Sequence, residues 1–585
     1  MRRREFLDLM VKASVVASAS ARVKASDRAA DRFYDLTRFG SGRILHFTDC
    51  HAQLLPIYFR EPNVNLGVGD ASGRLPHLVG QQLLATLPGI DARTRHALTY
   101  LDFAMGAKTY GRVGGFAHLK TLVDRLRAEA PSSLLLDGGD TWQGSGTALW
   151  TRGQDMVGAC NRLGVDVMTG HWEFTYLEDE VLTNAEAFQG ELVAQNIKAT
   201  EDAMFEGIPL FDEDTGHIFK PYTVRSLGDK RVAVIGQAFP YTPIANPQRF
   251  IPNWTFGIQE AALADLVTQI RGSEQIDVVI LLSHNGMDVD LKLASRVSGI
   301  DFILGGHTHD GIATPIEVEN AGGRCVVTNA GSNGKFLGVL DLEFGQRGLT
   351  DYRYRLMPIF SNLLAPDPDM SRYIEEVRAP FLETLNTPLA MAEDVLYRRG
   401  NFNGTFDQLI CDALCTELDA EFSLSPGFRW GTTILPGDTI RMEHLLDQTA
   451  MTYPETYVRE MKGSEIKLIL ESVADNLFHN DPYLQQGGDM VRTGGLRYTL
   501  DPVKDMGHRI SQLSDAKGQR IDADKSYRVA GWATVGRASE GPPVWEVVAQ
   551  SLKRTPMAAI KQLETPSLLG VKDNAGIEDY AGLHL

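Results

Sequence analysis

Cysteine is scarce in this chain. Five residues in 585 (Cys50, Cys160, Cys325, Cys411 and Cys415) are too few, and odd in number, for a disulfide framework. They also lack the paired spacing of a cysteine-rich zinc site. Cys411 and Cys415 stand four apart in a helical pattern, LICDALCTEL, and read as small buried hydrophobes. No apolar run approaches the roughly 18 residues of a membrane span. Positive charge is also short. The net charge of −18 excludes the basic surface that a nucleic-acid binder needs. An acidic chain that handles an anionic substrate needs a strong local positive charge, such as bound metal ions.

At 585 residues the chain exceeds one ordinary core, so two or more domains are expected. Its start, MRRREFLDLMVKASVVASASA, resembles a twin-arginine export signal cleaved after Ala21. That resemblance implies a protein folded before export to a bacterial periplasm.

From Arg43 one grammar repeats: an apolar run, a polar or glycine-rich turn, then a helical stretch. The runs are RILHFT, SLLLDGG, VDVMTG, ELVAQN, RVAVIGQ, DVVILLS, DFILGG, CVVTNA and FLGVLDLEF. Continuous apolar strands of this kind belong in sheets buried on both faces, which predicts α/β architecture over 43–362. Residues 52–113 read as a long loop-rich insertion of the kind that carries function. Around 363–387 the pattern predicts a bridging helix broken at Pro380, and from 388 to 585 a second, α+β domain.

The chemistry gathers where the runs end. RILHFT is followed by Asp49 and His51, SLLLDGG by Asp140, VDVMTG by His171, DVVILLS by His284, and DFILGG by His307 and His309. In open α/β sheets, sites lie beyond the carboxyl ends of the strands. Two Asp and five His on one rim suffice for two divalent ions, one carboxylate bridging both. Paired metals about 4 Å apart clamp a tetrahedral oxyanion and generate a hydroxide nucleophile at neutral pH. The glycine pairs before Asp140 and His307 are expected to permit the sharp turns. Alone, each motif is weak; the ordered set DxH, GGD, GHxE, SHNG, GGHTH is specific.

That set resembles the metallophosphoesterases, in particular their 5′-nucleotidase branch, over nearly the whole chain. The resemblance implies a four-layer αββα catalytic domain, a bridging helix and a nucleotidase-like C-terminal domain. It also implies one metal on Asp49, His51, Asp140 and His309, and another on Asp140, His171, His284 and His307. The departures narrow the class. Where the branch has GNHE followed by Phe-Asp, this chain has GHWEFT. His171 takes the place of the metal-binding Asn, Trp172 that of the transition-state His, and Thr175 that of the Asp steadying it. The two Phe that sandwich a nucleobase align with Thr452 (beside Tyr453) and Met490. One substrate arginine falls at Phe402, and the other survives as Arg429.

With GHWEFTY, YFREPNVN, YGRVGGFAHL and GGDMVRTGGLRY, the chain resembles the SoxB family. This implies a dimanganese sulfohydrolase, monomeric, that frees sulfate from a thiosulfonate on a cysteine of a SoxYZ carrier protein. Hydroxide from the metal pair would attack the sulfone sulfur. Arg429 is the candidate for gripping the sulfonate, Trp172 marks the lost acid, and Glu173 is expected to orient a ligand histidine. A channel between the domains, walled by the 52–113 insertion and the GGDMVR loop, is expected. The competing readings are a nucleotidase or cyclic phosphodiesterase on the same metals, and a non-catalytic metal-containing binding protein.

Overall fold

The computed structural model describes residues 32–273, 275–346 and 348–577; the export signal read at 1–21 lies outside them. The first domain is built on twelve strands: β1 (Gly42–Phe47), β2 (Ser133–Asp137), β3 (Val167–Met168), β4 (Glu191–Leu192), β5 (Tyr222–Leu227), β6 (Lys230–Gln237), β7 (Val278–Ser283), β8 (Phe302–Gly305), β9 (Ile316–Asn320), β10 (Gly323–Asn329), β11 (Phe336–Gly345) and β12 (Gly348–Pro358). They form two six-stranded sheets, in the orders β12-β11-β1-β2-β3-β4 and β9-β10-β8-β7-β6-β5. Strands β1 to β4 of one sheet, and β6, β7, β8 and β10 of the other, run parallel.

Period-two alternation explains the layering. Ile44, Leu134 and Leu136 point between the sheets and meet Val232, Val234, Ile280 and Leu282 from the other side. Leu45, Phe47 and Leu135 point outward, onto helices α1 (Phe116–Glu129) and α2 (Gln154–Leu163). Ala233, Ile235, Val279 and Leu281 pack on α3 (Glu260–Ser273) and α4 (Met287–Arg296). Both faces of each sheet are thereby buried, which is why these strands read as unbroken apolar runs. The result is the expected αββα sandwich. The apolar-run criterion misses β5, β9 and β12. These strands lie at sheet edges with one face partly exposed, so their residues alternate instead.

The linker is a helix at Pro368–Arg378, a 3₁₀ turn at Ala379–Phe381 around Pro380, and a last turn at Leu382–Leu385. Beyond it, a four-stranded sheet in the order Thr456–Lys462, Ser526–Trp532, Phe422–Gly427, Asp489–Gly494 centres the second domain. Helices Thr405–Glu417, Gly463–Phe478 and Val544–Arg554 belong to its cores. Among the described residues, no helix is long and apolar enough to cross a membrane.

The insertion is less loop-like than its composition suggests. It holds helices at Gly80–Ala85, Ala92–Leu98 and Phe103–Tyr110. Its backbone is fastened to the second domain. Tyr58 bridges Thr433 and Val64 bridges Ile577. The Asn65 and Val79 amides donate to the carbonyls of Gly576 and Ala575 at 2.7 and 3.1 Å.

Candidate metal centre

The carboxyl ends of β1, β2, β3, β7 and β8 converge at one end of the seam between the sheets. Asp140, His171, His284 and His307 form one cluster; Asp49, His51, Asp140 and His309 form another. Within each, the donor atoms lie within 4.8 Å of one another. The two groups hold the same residues as the ligand sets that the family resemblance implies, with Asp140 common to both. Its Oδ2 lies 3.0 Å from His284 Nε2 and 3.7 Å from His51 Nε2, and its Oδ1 lies 3.3 Å from His171 Nδ1. Asp49 Oδ1 lies 3.1 Å from His309 Nε2.

The residues fit metal ions by an internal test. His307 Nε2 and His171 Nε2 are buried without any hydrogen-bond partner. Buried polar atoms left in this state are costly unless something else binds them. The Gly138 carbonyl accepts a hydrogen bond from His284 Nδ1–H at 2.6 Å, which turns Nε2 toward the cluster. Burial holds His51 down to about 3 and also lowers His171, His307 and His309, so these rings stand neutral and ready to coordinate. His284 is the exception. Burial opposes its proton, but Asp140 and Asp49 outweigh burial and raise it to about 10. A metal ion would replace that proton.

The turns follow a different logic from the one expected. Left-handed backbone is borne chiefly by the ligands themselves: φ is +52° at Asp49, +46° at His51, +57° at Asp140, +72° at His307 and +62° at His309. Non-glycine residues in this region cost of order 1 kcal/mol each and cluster at functional sites. Of the glycines preceding them, only Gly139 has a positive φ, +93°. Gly306 is required for space: a Cβ there would stand 2.5 Å from Thr48 Oγ1 and 3.0 Å from Asp49 Oδ2.

Glu173 does not orient an imidazole. Its buried carboxylate accepts backbone N–H groups from His171 (2.8 Å), Asp140 (3.1 Å), Thr141 (2.7 Å) and Trp142 (3.1 Å), tying the two ligand turns together. Burial and the neighbouring Asp140 push this carboxyl above its ordinary value. The Trp172 amide donates to Asp140 Oδ1 at 2.7 Å, and its ring lies 5.1 Å from Trp430 and 5.4 Å from Phe428 of the second domain. Arg429 reaches in from that domain. It pairs with Asp489 at 3.1 Å and donates to the carbonyls of His307 (3.1 Å) and Gly488 (2.6 Å).

A cavity of about 270 Å³ opens onto the clusters. Its walls include Trp172, Phe239, Ile244, Phe428, Trp430 and the loop Gln486–Asp489. The GGDMVR loop is therefore a wall, as expected, but the 52–113 insertion is not. Insertion residues Pro62, Asn65 and His77 line a smaller neighbouring cavity, which shares His307 and Arg429 with the larger one. Sequence reading also missed Arg399, buried, whose Nη2 donates to the Thr308 carbonyl at 3.0 Å. No motif marks it, because its role lies in the domain contact.

The comparisons place this geometry. Residues 42–311 match the calcineurin-like phosphoesterase family and residues 389–548 match the 5′-nucleotidase C-terminal domain. Bovine 5′-nucleotidase is 26% identical over 459 residues, 72% of this chain and 76% of that protein. A 5′-nucleotidase precursor from Thermus thermophilus shares the fold, with a TM-score of 0.70, 21% identity and 90% and 99% of the two chains covered. Fold and clusters together define a hydrolase of the dinuclear phosphoesterase class. The structure of the sulfate thiohydrolase SoxB from Thermus thermophilus superposes with a TM-score of 0.84 at 34% identity, covering 92% of this chain and 98% of that one. The chain belongs to the SoxB family.

Proposed function

We propose that this protein hydrolyses an S-thiosulfonate carried on a cysteine of a SoxYZ-type carrier protein and releases sulfate. The observation that carries this reading is the loss of nucleotidase chemistry at mutually packed positions. Trp172 stands where the transition-state histidine belongs, and Thr175 is bonded to Thr452, the position of one base-stacking phenylalanine. Met490, at the other, is fully buried in the second domain's core. No base sandwich is left, and the cavity is walled by Phe428, Trp430 and Ile244 instead. The likeness to the Thermus thermophilus SoxB supports the same reading.

Two divalent ions, manganese in our reading, would be held by the seven residues of the clusters. When bound, they supply a nucleophilic hydroxide at neutral pH and neutralise the sulfonate oxygens. The S–S bond breaks, its electron pair departs on the sulfane sulfur, and the attacking oxygen ends in sulfate. Thiols are far more acidic than alcohols, so the leaving sulfur needs little protonation. That accounts for a tryptophan without acid function at position 172. Trp172 fixes Asp140 through its amide and shields the cavity with its ring. Arg429 contributes a positive charge at the cavity wall, with two of its five N–H groups left for an anion. Export through the twin-arginine route, read from MRRREFL, suits loading of metals before translocation.

Sulfate release from carrier-bound thiosulfonate, phosphate release from AMP, and metal analysis of the same sample test the proposal. Sulfate without phosphate is expected. The likeness to bovine 5′-nucleotidase favours the second reading, a nucleotidase, and phosphate without sulfate would establish it.

A further inference from the structure

A row of buried charges crosses the second domain and ends at the metal centre. Arg398 Nε lies 2.8 Å from Asp407 Oδ1, and Asp407 Oδ2 accepts from Arg492 Nε at 3.1 Å. Arg492 Nη2 lies 3.2 Å from Asp489 Oδ2, and Asp489 Oδ1 accepts from Arg429 Nε at 3.1 Å. Arg398, Asp407, Asp489 and Arg492 are each at least nine-tenths buried. Each carboxylate is shared between two guanidinium groups, so moving one member leaves a buried charge uncompensated. The inner end is tied to the Pro426 carbonyl at 3.0 Å and to that of Gln448. The outer end, Arg429, has its fork spread over the carbonyls of His307 and Gly488.

His307 is a demanding residue to hold. It offers a ring nitrogen to the cluster of Asp140, His171 and His284 from a left-handed backbone at φ +72°. Its amide is fixed by the first cluster, donating to the two oxygens of Asp49 at 3.0 and 3.1 Å. On the carbonyl side, among the described residues, it is held by Arg429. The next carbonyl, of Thr308, is held by Arg399. The carbonyl side of the turn that presents the second cluster's ligand is thus gripped from outside its own domain, at His307 only as firmly as Arg429 is itself held.

We infer that Asp489, and behind it Asp407, are positioning residues for the second metal: acting through Arg429, they hold the His307 peptide where its ring can coordinate. The inference rests on the two-metal reading of the site, and is independent of which sulfur or phosphorus ester is cleaved. Partners that orient ligands without touching the metal set affinity by roughly 10- to 100-fold.

Titration of metal-free full-length protein with Mn²⁺ alone, followed calorimetrically and by electron paramagnetic resonance, tests it without any substrate. The unaltered protein should take two equivalents and develop the exchange-coupled signal of a metal pair. The binding step lost in His171→Ala identifies the second site. Asp489→Asn keeps the shape and removes the charge. It should weaken that step roughly 10- to 100-fold, while the first changes less than about threefold. Arg429→Lys keeps charge but cannot pair with Asp489 and span two carbonyls at once. It should do the same, and decides the matter if Asp489→Asn does not fold. Asp407→Asn, one link further away, should give a smaller loss at the same step. Folded variants with both steps unchanged, or both weakened equally, overturn the inference. A single equivalent in the unaltered protein overturns the two-metal reading beneath it as well.

Discussion

The hydroxyls of Thr175 and Thr452 meet at 2.7 Å across the domain boundary, and Thr452 donates its own proton to the Thr175 carbonyl at 2.8 Å. Thr175 must then be the donor between the two hydroxyls. Two positions that serve acid catalysis and base stacking in the nucleotidase pattern have become a fastening between domains. Gln143 and Tyr453 reinforce it, donating to the carbonyls of Ala450 and Ala245 at 2.7 and 2.6 Å.

Restoring the histidine alone should therefore restore nothing. In Trp172→His the new imidazole lacks its carboxylate partner, and the indole's contacts with Phe428 and Trp430 are lost. Turnover of carrier-bound thiosulfonate is expected to fall or stay level, with no gain in AMP hydrolysis. A large gain in either rate would contradict the leaving-group argument.

Asp140 is common to both clusters, so Asp140→Asn should impair both metals at once. Metal content should drop below two equivalents and sulfate release should fall on the order of 10³-fold, the equivalent of about 4 kcal/mol of transition-state stabilisation. Retention of normal sulfate release in this variant would revive the non-catalytic binding reading.

Glu173→Gln puts an NH₂ group among four backbone donors that now share one carboxylate. Two ligand turns lose their common anchor. Metal affinity should decline roughly 10- to 100-fold. Chelator competition measures this directly, and an unchanged affinity would reduce Glu173 to a local packing role.

Gly487 has φ +76°, and a Cβ there would lie 1.9 Å from His307 Nε2. Gly487→Ala should thus disturb a ligand atom from the opposite domain, lowering metal occupancy and activity together. Gly437 also has a positive φ, +89°, but open space around it, and Gly437→Ala serves as the control for backbone cost alone.

His77 of the insertion lies 3.0 Å from Asp288 at the start of α4. Burial would lower the imidazolium, but Asp288, assisted by Asp310, outweighs it and raises His77 above 6.5. Burial would likewise raise Asp288, and His77 outweighs it, holding the carboxyl below 3.8. The raised group stabilises the fold fully below its unfolded value and loses that as pH climbs through its folded one. The lowered group stabilises above its unfolded value and loses that as pH falls. The pair should therefore contribute most between pH 3.8 and 6.5. His77→Gln should cost roughly 1.5–3 kcal/mol near pH 6 and progressively less at alkaline pH, measured as the difference in unfolding free energy.

The residues of the two clusters were legible in the sequence because each follows its strand directly. Apolar run, turn and donor are adjacent in the chain, and the parallel sheets bring the turns together. The same adjacency exposed the missing acid pair at Trp172 and Thr175. What adjacency cannot show is pairing between distant segments. Glu173 sits in the right motif, yet its partners are backbone amides of another turn. Arg399 carries no motif, and Asp489 sits in GGDMVR without any sign of its ionic partners; their meaning depends on where the second domain rests on His307 and Thr308. The edge strands β5, β9 and β12 escaped because half-exposed strands do not read as apolar runs.

The pairing of residues 64–79 with residues 574–577 sets an order of assembly. Asn574 reaches back to the Gly67 carbonyl across 507 positions of chain. The segment beside the metal centre cannot find its partners until residues 574–577 have left the ribosome. Contacts of such long sequence separation form late and slowly. Removing Asn574–Ile577 would strike the N-terminal domain, about 500 residues upstream.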